Sequence, residues 1–169
     1  MSEEIHLVDL TVDNWEAVAA LVVAPRQEAF VATNMKTIAE TQFYPSVRRR
    51  VIMAGDRPVG LAAYGIDTDD DNWWLFRFMI AGGEQGKGYG RRALRLLIDE
   101  WRAIPECRFV LLGYKPENVV AERLYESMGF VPGEVASWGE RIARLDLDRT
   151  SDPRVGNADH CTRIAGAPS

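Results

Sequence analysis

The stretch Gln85-Gly86-Lys87-Gly88-Tyr89-Gly90 decides the fold. An apolar run, Trp73 to Ile80, precedes it. A pattern with Leu94, Leu97, Ile98 and Trp101 on one helical face follows it. A strand that ends in a glycine-rich turn and opens a helix aims several backbone N–H groups at one point. That point lies at the positive end of the helix dipole and suits a phosphate. Glycine there permits φ > 0 and close approach of a ligand.

Two better-known glycine loops do not fit. A P-loop needs Gly-x-x-x-x-Gly-Lys-Ser/Thr, which the chain lacks. The dinucleotide fingerprint needs Gly-x-Gly-x-x-Gly in a βαβ unit, whereas here the spacing is Gly86-x-Gly88-x-Gly90 and the preceding elements read as antiparallel. A glycine turn with no ligand is the plainer alternative.

Working outward, Ile5 to Leu10 reads as a strand. Thr11 reads as an N-cap for a helix through Trp15, Val18, Ala19 and Val22, ended by Pro25. Gln27 to Glu40 reads as short helical pieces. Arg50 to Ala54 and Val59 to Ile66 read as strands joined by the hairpin signal Gly55-Asp56-Arg57-Pro58. An acidic loop, Asp67 to Asn72, leads to the strand Trp73 to Ile80. After the long helix come the strand Phe109 to Tyr114, a helix Asn118 to Met128 with Gly129 as C-cap, and an antiparallel pair, Val131 to Val135 and Arg141 to Leu147. The expected order is β-α-α-β-β-β-α-β-α-β-β, an α/β fold with helices on a mixed sheet.

The chain has 169 residues, 47% hydrophobic and 27% charged, with a net charge of −5. Residues 1–148 read as one domain, and 149–169 as a flexible tail of Ser, Asp, Pro, Gly, Asn and Ala. The negative charge argues against nucleic acid as a partner. No run of apolar residues suits a membrane span, and the acidic start lacks a signal peptide's basic region. Cys107 reads as a buried hydrophobe and Cys161 as a tail thiol. Neither has metal spacing, so no metal is expected and a reducing cytoplasm fits. His6 and His160 lie at the two ends, and no assembled serine or cysteine nucleophile motif is seen.

A second motif, Asn118-x-x-Ala121-x-x-Leu124-Tyr125-Glu126-x-x-Gly129-Phe130, follows the first. With Gln85, Gly88 and Gly90 filling Gln/Arg-x-x-Gly-x-Gly/Ala, the pair resembles the GCN5-related N-acetyltransferase superfamily over roughly residues 5 to 148. The resemblance implies a mostly antiparallel twisted sheet whose fourth and fifth strands splay. Acetyl-CoA, as cosubstrate, would lie in the gap with its pantetheine arm on the backbone of Phe78, Met79 and Ile80. Its pyrophosphate would lie on Gln85, Gly86, Lys87, Gly88, Tyr89 and Gly90. A main-chain N–H near Met79 would stabilise the oxyanion. Tyr125 would protonate the leaving sulfur, and Asn118 would contact the cofactor arm or cap its helix. For Lys87 a solvated surface role is the alternative, and for Tyr125 a core role.

Within the superfamily, Glu28 to Asn34, Tyr64 to Asp67, Arg77 to Ile80 and Tyr114 to Asn118 resemble bacterial Blt-D-type spermidine/spermine (diamine) acetyltransferases. The implied acceptor is a polyamine, recognised by separated carboxylates and aromatic faces. Glu28, Phe30, Tyr64, Asp67, Trp73 and Trp74 are the candidates. The other reading makes the aspartates a solvated loop and the aromatics core. Lys115 and Ala81-Gly82-Gly83 stand where relatives often carry acidic residues, and the fourth strand holds no carboxylate base. A water chain ending on Glu28 or the Asp67–Asp71 loop is the expected substitute. An antibiotic or protein amine as acceptor, or a non-catalytic acyl-CoA-binding module, are the other functions. The resemblance also admits a homodimer.

Overall fold

The computed structural model describes residues 3–147. The tail from 149, with His160 and Cys161, lies outside the described residues.

Strand β1 (Ile5–Asp9) is followed by helix α1 (Trp15–Ala19), a 3₁₀ turn (Pro25–Gln27) and helix α2 (Asn34–Thr41). Then come β2 (Arg48–Ala54), β3 (Arg57–Ile66) and β4 (Trp73–Ile80). A second 3₁₀ turn (Gly82–Glu84) leads into helix α3 (Tyr89–Arg102). Strand β5 (Phe109–Tyr114), helix α4 (Val119–Ser127), β6 (Val131–Val135) and β7 (Arg141–Asp146) complete the fold. The seven strands form one sheet in the order β1-β2-β3-β4-β5-β7-β6. Every neighbouring pair is antiparallel except β4 with β5.

The α3 pattern does what its spacing demands. Leu94, Leu97, Ile98 and Trp101 are buried in the main core with Leu75, Val110, Leu112 and Phe130. Each such side chain removed from water stabilises the fold by about 2 kcal/mol. Cys107 belongs to this core as a thiol outside any disulfide. On the opposite sheet face, Val18 of α1 and Ile38 of α2 pack on Val51, Leu61 and Met79. Buried Asn34 ties these layers by donating its Nδ2 to the Val18 carbonyl at 2.9 Å and to Met79 Sδ at 3.5 Å.

The start of the chain differs from the sequence reading. Asn14, not Thr11, occupies the N-cap position of α1 without a side-chain bond to the helix, and Thr11 heads the preceding turn, with its N–H bonded to Asn14 Oδ1 at 2.8 Å. The helix stops at Ala19 rather than Val22. The chain leaves it so that the Val22 carbonyl can accept the Gly82 N–H at 2.8 Å, which docks the α1 segment on the turn after β4. Pro25 then opens the 3₁₀ turn, where its missing N–H costs nothing.

Candidate active site

Strands β4 and β5 pair only at Trp74 with Leu111 and at Leu75 with Leu112. Beyond those pairs they diverge, leaving a fork that opens toward the N-terminus of α3. A bulge assists the divergence. Ala63 faces Arg77 and Tyr64 faces Leu75, so Phe76 is the extra residue on β4.

The ladder parity tells which β4 amides face the fork. Ala81 donates to the Val59 carbonyl at 2.8 Å. Counting back in register, Met79 is hydrogen-bonded to Leu61, while Phe78 and Ile80 turn their N–H and C=O groups away from β3. The Ile80 carbonyl accordingly accepts from Gln85 Nε2 at 2.9 Å. The sequence reading centred the oxyanion donor near Met79. The parity points the Met79 amide into the sheet and leaves those of Phe78 and Ile80 facing away from β3. The Met79 side chain packs under α1 and α2.

The glycine turn forms an anion cradle. Gly88 is the N-cap of α3 with no side-chain cap, and the first helical bond runs from Arg92 N to Gly88 O at 3.2 Å. The N–H groups of Tyr89, Gly90 and Arg91 therefore precede the helical ladder and point out of the helix end. Gly86 and Gly88 have φ of 78° and 77°, and no protein atom lies within 4 Å of a Cβ built on either. Glycine is required there for the left-handed backbone, not for room. This geometry fits a diphosphate.

Side chains near the cradle are largely committed elsewhere. Lys87 Nζ lies 2.8 Å from Glu84 Oε2, and that contact raises the lysine and lowers the carboxylate from their usual ranges. Glu84 also pairs with Arg57. The Tyr89 hydroxyl donates to Glu3 at 2.6 Å and its ring is buried beside Ile5 and Ile80. Only its main chain serves the cradle.

Tyr125 sits on the buried face of α4, with ring centroids 5.9 Å from Tyr114 and 5.7 Å from Phe130. Burial, then the neighbouring Tyr114, pushes its phenol well above the ordinary tyrosine range. The phenol is therefore neutral at physiological pH. Asn118 caps α4 by accepting the Ala121 N–H at 3.2 Å. Both residues line one cavity of about 1390 Å³ that runs from the cradle through the fork to the α2 side of the sheet.

Glu28, Phe30, Asp67 and Trp74 line that cavity. Tyr64 and Trp73 do not. Tyr64 is core: its ring meets Trp101 edge-on at 5.6 Å, and its hydroxyl donates to Glu100 at 2.9 Å. Trp73 packs against the same core. Both sit on the α3 face, because alternation in the central strands sends them there. The sequence reading missed Glu40, whose Oε2 is 3.3 Å from Arg77 Nη2 and whose Oε1 is 3.5 Å from Lys36. It also missed Trp138 and Glu140, from the β6–β7 turn. Only the folded register brings these residues together.

Among the described residues no group of three His, Cys, Asp or Glu is placed to hold a metal. Nor is any helix among them long and apolar enough to cross a membrane.

Residues 14–130 match the model of the acetyltransferase (GNAT) family. The spermine/spermidine N(1)-acetyltransferase of Bacillus subtilis (strain 168) is 32% identical over 153 residues, covering 85% of this chain and 99% of the relative. An acetyltransferase from Thermus thermophilus superposes with a TM-score of 0.73 at 16% identity, covering 87% of this chain and 100% of that one. Spermidine N-acetyltransferase from Vibrio cholerae, in complex with CoA and spermine, gives 0.64 at 18% identity, covering 83% and 92%. The forked sheet, the glycine cradle and these matches agree: the chain belongs to the GNAT family and is an acetyl-CoA-dependent N-acetyltransferase.

Proposed function

We propose that the acceptor is a polyamine of the spermine/spermidine class, acetylated on a terminal amine by direct attack in a ternary complex. The cosubstrate supplies an acetyl thioester. The cradle of residues 85–90 holds its diphosphate, and the gap-facing groups of Phe78 and Ile80 align its arm. The Phe78 N–H stabilises the developing oxyanion. The neutral Tyr125 phenol hands its proton to the departing sulfur. Cys107, the described cysteine, is buried away from the cavity, which speaks against an acyl-cysteine route.

The observation that carries the acceptor class is Asp67. It lines the cavity near the closed end of the fork, where β3 and β4 meet. Trp73 and Phe78 lie five positions apart, roughly 17 Å along the strand. Burial first, and then Asp70 and Asp69, push the Asp67 carboxyl above its usual range despite the Asp69 N–H bond. An ammonium far from the reacting nitrogen would relieve that cost. Phe30 and Trp74 supply apolar walls along the way, suited to methylene arms and to cation–π contact. The 32% identical relative bears a spermine/spermidine acetyltransferase name.

The test is an initial-rate panel of spermine, spermidine, n-propylamine, kanamycin and a lysine peptide, with released CoA detected as thiol. Spermine or spermidine should have the highest kcat/KM, with intersecting rate patterns. Asp67→Asn should raise KM for spermine about tenfold, a loss of ~1.4 kcal/mol, and leave n-propylamine unaffected. Faster turnover of kanamycin or the peptide would overturn the reading.

A further inference from the structure

The β4 strand carries no carboxylate facing the fork, yet an acceptor amine arrives as an ammonium and must lose a proton before it attacks. The structure brings a carboxylate to the fork from elsewhere. Gly113 is the first residue of β5 beyond the last β4–β5 pair. A Cβ built on it would lie 2.7 Å from Glu140 Oε2, 3.4 Å from its Cδ and 3.5 Å from its Cβ. The Glu140 side chain therefore lies directly on the bare α-carbon of Gly113.

That carboxylate is held in place. Trp138 Nε1 donates to Oε2 at 3.1 Å. The turn below is pinned by Ala136 N to Glu140 O at 2.7 Å and by Gly139 N to Ala136 O at 2.8 Å. Oε1 receives no bond from Trp138 and remains for a ligand in the cavity that Glu140 lines.

Sheet alternation sets the two proton-handling groups apart. Tyr114 points into the core against Tyr125, so its neighbour Gly113 presents the opposite face. The phenol of Tyr125 thus approaches the fork from the α3–α4 side and the Glu140 carboxylate from the α1–α2 side. A thioester lying in the fork would have its sulfur toward one and its attackable carbonyl face toward the other.

We infer that Glu140 is the catalytic base for the acceptor. Its carboxylate accepts one proton from R–NH₃⁺, giving R–NH₂. The amine nitrogen bonds to the thioester carbon and the C–S bond breaks. Tyr125 protonates the sulfur and regains a proton from the nitrogen. Glu140 then releases its own to solvent. The sum is R–NH₃⁺ and acetyl thioester going to amide, thiol and one proton. The charged and titratable groups near this point are Lys115 on the loop after β5, Arg141 next in the chain, the Arg77–Glu40 pair across the fork, and the two tyrosines. This assignment rests on N-acetyl transfer and not on the polyamine.

The test compares Glu140→Gln, Glu140→Asp and Gly113→Ala with the wild type, at saturating acetyl-CoA, on spermine and on n-propylamine. E140Q should lower kcat about 100-fold on whichever amine is turned over and move the acidic limb of its kcat/KM–pH profile up toward the titration of the free amine. E140D should keep that limb at reduced kcat. G113A, which displaces a flexible side-chain end and leaves the carboxylate present, should also lower kcat, with no change in calorimetric CoA affinity. An acidic limb and kcat unchanged in E140Q would overturn the inference. So would a rise in KM alone, which would make Glu140 only an anchor. Loss of the preference for spermine over n-propylamine with the E140Q effect intact would sink the polyamine reading and spare this one.

Discussion

Gln85 Nε2 bonds to the Ile80 carbonyl at 2.9 Å and to Gln27 Oε1 at 2.6 Å. One side chain therefore joins the glycine turn, the open edge of β4 and the Gln27 wall of the cavity. Removing it in Gln85→Ala should cost about 1 kcal/mol of stability and weaken CoA binding several-fold, because the turn loses its tie to the strand. Urea denaturation and calorimetric titration with CoA check both.

Gly88 and Gly90 should respond differently to alanine. Gly88 sits at φ 77°, so Gly88→Ala should cost about 1–2 kcal/mol in backbone strain and distort the cradle, weakening CoA affinity. At Gly90 a Cβ would meet Ile80 and Leu124 at 3.6 Å, an ordinary contact. Gly90→Ala should be near neutral in thermal melts and in CoA titration.

Backbone parity can be read with single amide-to-ester replacements. An ester at Phe78 removes a fork-facing N–H, so kcat should fall about 100-fold with little change in stability. An ester at Met79 removes a ladder bond to β3 and should lower stability by about 1 kcal/mol while sparing kcat. The reverse pattern would return the oxyanion role to Met79.

Tyr125→Phe keeps the ring contacts with Tyr114 and Phe130 and removes the hydroxyl proposed to protonate the sulfur. The expected result is a kcat about 100-fold lower with unchanged CoA affinity. Stopped-flow turnover and calorimetry separate the two.

Tyr64 gives a pH prediction for the fold itself. Burial, then its bond to Glu100, raises the phenol from 10 to about 12. Below pH 10 folded and unfolded chains both hold the proton. Between 10 and about 12 the unfolded chain releases it first, so unfolding is favoured as pH rises. Wild type should lose about 2 kcal/mol across this window from this group, and Tyr64→Phe should show a shallower decline in urea midpoints between about pH 9 and 12.

The strands flanking the fork were legible because their apolar runs have clean ends. Trp73–Ile80 and Phe109–Tyr114 have the bounds the sequence suggested. The glycine turn and the Asn118 cap were legible because each acts locally. Tyr64 and Trp73 were misplaced for a physical reason: β3 and β4 are interior strands with apolar residues on both faces, so composition cannot say which face meets the cavity. The uninterrupted Leu61–Tyr64 run, wholly buried, was the available warning. Glu40 and Glu140 were missed because nothing near them in sequence marks them. One reaches the site through an ion pair to a distant strand and the other through a bare glycine on β5.

The seven strands form two leaves, β1 to β4 and β5 to β7, stitched at mid-sheet by two rungs and braced by α3. A thioester arm seated between the leaves would act as the missing rung. Catalysis in this chain would then come with a mechanical effect: a loaded sheet would be stiffer than an empty one, and release of free CoA would reopen the seam.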